Sequence, residues 1–116
     1  LIYIHKAIDL CVEKNVQKSL DLFYEDCGYI LFLKGDYQAA ERYLLKSIEL
    51  YEQFDTYWLR SIAESSLAMI YASDDLRDSA LEHFRKAEVF SQKEMAQEEL
   101  VVLEQARCVL KKANIL

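Results

Sequence analysis

Proline is absent from this chain of 116 residues, and glycine occurs only twice, at Gly28 and Gly35. Pro breaks helix interiors and Gly weakens them, so their scarcity favours long helices joined by short turns. It also argues against a β-rich domain, which needs more turn formers than this chain has. Cysteine is sparse too: Cys11, Cys27 and Cys108 are odd in number and far apart. Neither a disulfide framework nor a zinc site follows from that spacing. The thiols are expected to be reduced and mostly buried, as in a cytoplasmic protein. No apolar run is long enough to span a bilayer, and residues 1–10 lack the basic flank and cleavage site of a secretory signal.

Positive charge is the minority sign. Fourteen Lys and Arg face 20 Asp and Glu, for a net charge of −6. Such a chain repels phosphate, so no nucleic-acid partner is expected for this segment. The two histidines, His5 and His83, read as partly exposed surface residues. Neither stands at metal-ligand spacing from a Cys or from the other His. Glu25-Asp26-Cys27 looks reactive as text, yet successive residues of a helix point in different directions. No glycine-rich phosphate loop is present. Metal, cofactor and catalysis are therefore not expected. The chain opens on Leu1 rather than Met and reads as a piece of a longer protein.

What the chain has in abundance is helical periodicity, and a repeat. Tyr3-Ile4-His5-Lys6-Ala7-Ile8 aligns with Tyr43-Leu44-Leu45-Lys46-Ser47-Ile48 at a spacing of 40, and again with His83-Phe84-Arg85-Lys86-Ala87-Glu88. At the same offset, Tyr24, Cys27, Gly28 and Leu31 match Glu64, Leu67, Ala68 and Tyr71. Gly35, Asp36 and Ala40 match Asp75, Leu76 and Ala80. Agreement at one offset over five helical segments identifies a repeat.

The apolar spacing predicts helices over 2–14, 16–33, 37–54, 57–72, 76–90 and 93–113. Asp36, Asp55 with Thr56, Asp74 with Asp75, and the Ser91-x-x-Glu94 capping box supply start signals. Asn15 and Gly35 supply left-handed stops. Small residues mark close approaches: Gly28 and Ala68 where paired helices cross, with Ala40, Ser47, Ala80 and Ala87 opposite. Leu44 and Phe84 are expected to fill the gap between successive pairs.

These residues resemble the tetratricopeptide repeat family, whose pattern is a bulky aromatic, a Leu-Gly pair, a Tyr, an Ala, a Phe and a closing Pro. Tyr24, Cys27-Gly28, Leu31, Gly35, Asp36-Tyr37, Ala40 and Leu44 follow that order, as do Leu67-Ala68, Tyr71, Ala80, Phe84 and Ala87. The repeat is longer than the family's usual length of about 34, and the closing Pro is missing. In both respects it looks like the elongated repeats of bacterial regulators. The resemblance implies an all-α, right-handed solenoid of antiparallel helix pairs, about six helices in one domain. On this division 1–15 is the second helix of a partial repeat, 16–54 and 55–91 are full repeats, and 92–116 is a terminal helix.

The resemblance further implies a scaffold that binds a protein or peptide, such as the sensory or interaction part of a regulator, through the first helix of each pair. Carried over position by position, that concave face holds Leu22, Glu25, Asp26, Tyr29 and Phe32, then Ser65, Ser66, Met69 and Ser73, then Gln105, Val109 and Lys112. The same side chains could instead cover a neighbouring helix. Asp21, Glu25 and Asp26 form an acidic cluster, either a solvated face or a preference for a basic partner. Family members that clamp a chaperone's C-terminal carboxylate use Lys, Arg and Asn where this chain has Glu25, Tyr29 and Ser65, so no such clamp is expected. The alternative to partner binding is homo-oligomerisation through the apolar solenoid ends, 1–10 and 101–116.

Overall fold

The computed structural model describes residues 2–13, 20–53, 60–91 and 97–116, with the backbone alone at 91 and 97–99. The described residues are all-α, with no strand. Six helices run α1 Ile2–Glu13, α2 Leu20–Lys34, α3 Tyr37–Gln53, α4 Ser61–Ser73, α5 Arg77–Ser91 and α6 Gln97–Lys112. Of the expected signals, Asn15, Asp55, Thr56 and Glu94 lie outside the described residues, as do the starts expected at 16, 57 and 93. The chain divides into two compact units, Leu1–Tyr57 and Trp58–Leu116.

In the first unit α2 and α3 form a hairpin, and α1 lies against α2. Gly35 turns the chain with φ +88°. Its N–H donates to Phe32 O and the Asp36 N–H donates to Leu31 O, both at 3.0 Å. These two bonds satisfy carbonyls that the helix end would otherwise leave open. Asp36 then starts α3, its carboxylate accepting the Ala39 N–H at 3.4 Å,. At the helix crossing, a Cβ added to Gly28 would lie 2.7 Å from Leu44 Cγ and 3.2 Å from the Ala40 carbonyl oxygen. Leu44 thus fills the crossing of its own hairpin. The α1 side of the core gathers Ile8, Leu20 and Cys27, with Ile4, Cys11, Phe23, Tyr24, Leu31, Tyr43 and Leu50 packed around them.

In the second unit α4 packs against both α5 and α6. That double coverage buries α4 from Ala63 to Ile70 without a break. Ala68, Ala80, Phe84 and Ala87 are buried here, as Gly28, Ala40, Leu44 and Ser47 are in the first hairpin. Val102, Leu103, Ala106 and Leu110 are the buried residues of α6. The turn after α4 repeats the one after α2. Asp75 has φ +57°, its N–H donates to Ala72 O at 3.2 Å, and the Leu76 N–H donates to Tyr71 O at 2.8 Å. Asp75, a start signal by sequence, is therefore a left-handed stop. Asn114, at φ +59°, ends α6 with the same pair of bonds, to Lys111 O and Leu110 O. The Arg77 guanidinium ties the start of α5 to this last turn, donating to the Ala113 carbonyl at 2.9 Å and to the Asn114 carbonyl.

Candidate partner-binding face

Helical geometry puts residues four, seven and eleven apart on one side of a helix. On α2 that spacing selects Leu22, Asp26, Tyr29 and Leu33. Leu22 is 49% exposed and Leu33 60% exposed, Asp26 is exposed, and Tyr29 is half-buried. Phe32, half-buried, stands beside this stripe. Its ring stacks on Tyr29 with centroids 6.3 Å apart and planes 22° from parallel. The Gly35 turn then brings Tyr37 back onto Phe32 at 5.5 Å and 21°. Three near-parallel rings thus form a ladder at the C-terminal end of α2, and Tyr37 remains 37% exposed. Offset stacks of this kind hold apolar surface in a fixed arrangement.

The other expected face residues divide. Glu25 turns inward and is 3% exposed. It accepts a hydrogen bond from the Tyr51 phenol, whose pKa is pushed far up by burial and then by the charges of Glu25 and Asp21. Glu25 is thus a core anchor of the first unit, not a groove residue, and cannot be what turns a carboxylate away. Ser65 and Ser66 are fully buried and Met69 nearly so. The expectation that α4 lines an open groove fails at these three positions, because α5 and α6 cover the helix from two sides. The hydroxyls of Ser61, Ser65 and Ser66 find no hydrogen-bond partner among the described residues. Ser73 is exposed, and its hydroxyl donates to the Ile70 carbonyl at 2.6 Å. Gln105, Val109 and Lys112, spaced by four and three, share an exposed side of α6 in the second unit.

The second unit also holds a buried polar cluster that the sequence does not announce. Glu64, 1% exposed, accepts from His83 Nδ1 at 3.1 Å and lies 3.9 Å from Arg60 Nε. The Arg60 guanidinium covers the Phe90 ring at 4.8 Å, and His83 packs on Tyr71 with centroids 5.2 Å apart. His83 is therefore a partnered, mostly buried residue rather than a surface one. The Arg60–Glu64 spacing of four is the available signal. Alignment at the 40-residue offset masks it by pairing Glu64 with the aromatic Tyr24. Among the described residues no group of three His, Cys, Asp or Glu could hold a metal ion. Cys27 is buried, and burial pushes its thiol pKa up, whereas Cys108 is exposed, against the expectation of mostly buried thiols.

Fold and face together define an all-α protein of helical hairpins that presents an apolar, partly aromatic helix surface. Compared with protein-family models, the curated proteins and the solved structures, the chain matches none.

Proposed function

We propose that this chain is a tetratricopeptide-type helical-repeat module, without catalytic activity of its own, that binds a protein or peptide segment. The observation that carries the reading is the open stripe Leu22–Asp26–Tyr29–Leu33 with its ladder of stacked rings. Large apolar side chains held at the surface on a rigid helix are what a docking face requires. The twice-built hairpin supports the family reading. Gly35 and Asp75 adopt the same left-handed turn 40 residues apart, and the small residues at both crossings are buried. Stacked along one axis, such hairpins would form the solenoid that the family resemblance implies.

The test is selection from a random peptide library on immobilised wild-type protein and on the Tyr29→Ala/Phe32→Ala double variant, with far-UV circular dichroism confirming an intact fold. Peptides that bind the wild type and are lost on the double variant are expected. A library in which every selected peptide binds both proteins equally would overturn the reading.

A second reading is self-association. Ile2 is 70% exposed, Tyr3 84%, Leu10 55% and Val12 59%, large apolar side chains set among the exposed Lys6, Asp9 and Glu13 on the outer side of α1. On this reading a second copy covers that side. Light scattering at high protein concentration decides it: a monomer mass throughout rejects self-association, and a dimer mass lost in Tyr3→Ser/Leu10→Ser supports it.

A further inference from the structure

We propose, on the reading that α2 is a docking face, that its occupant is a second copy of this chain, laid antiparallel along the same stripe. The stripe is its own complement. Leu22, Asp26, Tyr29 and Leu33 follow spacings of four, three and four, which read the same from either end. A two-fold axis level with the Cys27–Gly28 peptide therefore sets Leu22 of each copy against Leu33 of the other, and Asp26 against Tyr29. Both leucines are exposed, so each pairing removes apolar surface from water. At the centre the Tyr29 hydroxyl donates to the Asp26 carboxylate of the other copy. A carboxylate accepts on two oxygens, so this bond does not displace the interaction that Asp26 already makes.

Other arrangements of two such helices lose these pairings. Parallel copies in register would set Asp26 against Asp26 and align the two helix dipoles unfavourably. Sliding antiparallel copies by one heptad in either direction breaks both Leu–Leu pairings, and in one direction it sets Leu22 against Asp26. A polar pair that fits in one register alone fixes register and direction in paired helices. Phe32 stacks on both Tyr29 and Tyr37 and neighbours Leu33, so the incoming Leu22 meets its partner beside a fixed ladder of rings. The contact is small. The 15 residues of α2 span about 22 Å, and one helix on one helix buries less than the ~1,200 Å² at which stable complexes begin. The dimer is therefore a weak one.

Sedimentation equilibrium of the wild type from about 10 µM to about 1 mM should show a dimer at the upper end. Leu33→Ser, at an exposed site, should weaken it at least roughly tenfold, because the two-fold axis makes each substitution count twice. Tyr3→Ser/Leu10→Ser, on α1, should leave it unchanged. Direction is read by cross-linking in a Cys11→Ser/Cys108→Ser background with a bis-maleimide of about 8–10 Å reach, the separation of packed helices. Leu22→Cys protein mixed with Leu33→Cys protein should couple across the pair. Neither should couple to itself, because like positions stand about 16 Å apart along the axis. Self-coupling of either in preference to the mixture would overturn the proposal. So would a dimer lost in the α1 variant and kept in Leu33→Ser. A wild type that stays monomeric up to about 1 mM overturns it too. In that case the docking face still stands if peptides dependent on Tyr29 and Phe32 are selected, and both readings fall if none is.

Discussion

Gly28 on α2 and Leu44 on α3 pack so closely that a Cβ at residue 28 would stand 2.7 Å from Leu44 Cγ and 2.8 Å from its Cδ2. Leu44 is fully buried, so it has little room to retreat, and the Ala40 carbonyl oxygen closes the space at 3.2 Å. Interiors at crystal-like density transmit such a conflict rather than absorb it. Gly28→Ala therefore sets two effects against each other. Better helix propensity gains about 1 kcal/mol, and overpacking costs about 1–3 kcal/mol. The expected net is a loss of up to about 2 kcal/mol, read as a lower urea midpoint. Leu44→Ala in the Gly28→Ala background should recover part of the clash term, giving a favourable coupling in the double-mutant cycle. A stability gain in Gly28→Ala alone would sink this account of the crossing.

The turns after α2 and α4 place two different residues in one left-handed conformation, Gly35 at φ +88° and Asp75 at φ +57°. A residue with a Cβ pays about 1 kcal/mol there, and Asp somewhat less than Ala. Opposite outcomes are expected from opposite exchanges. Gly35→Ala should destabilise by about 1 kcal/mol, and Asp75→Gly should change stability little or raise it by a few tenths. No Cβ contact confuses the first exchange, because nothing lies within 4 Å of the place it would occupy. Thermal unfolding of the two variants side by side checks this, and a stable Gly35→Ala protein would refute it.

Ser65 and Ser66 distinguish a core from a groove. Both are fully buried, with hydroxyls that find no partner among the described residues. A buried hydroxyl without a hydrogen bond costs about 1–3 kcal/mol, and Ala is the better helix former. Ser65→Ala and Ser66→Ala should each raise stability by about 1 kcal/mol and leave peptide binding unchanged. Loss of binding without a change in stability would return these residues to the partner face.

The successes and failures of sequence reading share one cause. Position along a helix is legible, because apolar spacing and small residues report local geometry. Thus the small side chains of Gly28, Ala40, Ala68 and Ala80 mark close approaches from the sequence alone, and all four are buried. Which neighbour covers a helix is not legible, because that depends on elements far away in sequence. Glu25 and Asp26 are adjacent, yet one is a buried partner of Tyr51 and the other is exposed. Ser65 and Ser66 resemble groove residues because a helix wheel cannot tell that α4 is covered on two sides. The aromatic ladder is half visible. Tyr29 and Phe32 are three residues apart, but Tyr37 joins them only through the Gly35 turn.

The contact between α5 and α6 should carry a signature in acid. Glu88 accepts from Arg85 at 2.7 Å and from Arg107 of α6 at 3.3 Å, while Arg107 is also bonded to Glu104. The hydrogen bond from Arg85 is the chief cause, ahead of the one from Arg107, that holds the Glu88 carboxyl below its ordinary 4.5. A carboxyl lowered in the folded state binds its proton more readily in the unfolded chain. Its stabilising effect is therefore whole above the ordinary value and fades as pH falls through the lower, folded one. The groups are partly solvated, so the effect stays under about 1 kcal/mol. Wild type should exceed Glu88→Gln in urea midpoint at about pH 7, and the gap should begin to close below about 4.5 and vanish in stronger acid. Arg107→Gln should narrow the gap at neutral pH without changing its direction. A gap as wide at about pH 2 as at about pH 7 would mean that Glu88 stabilises by packing, not by charge.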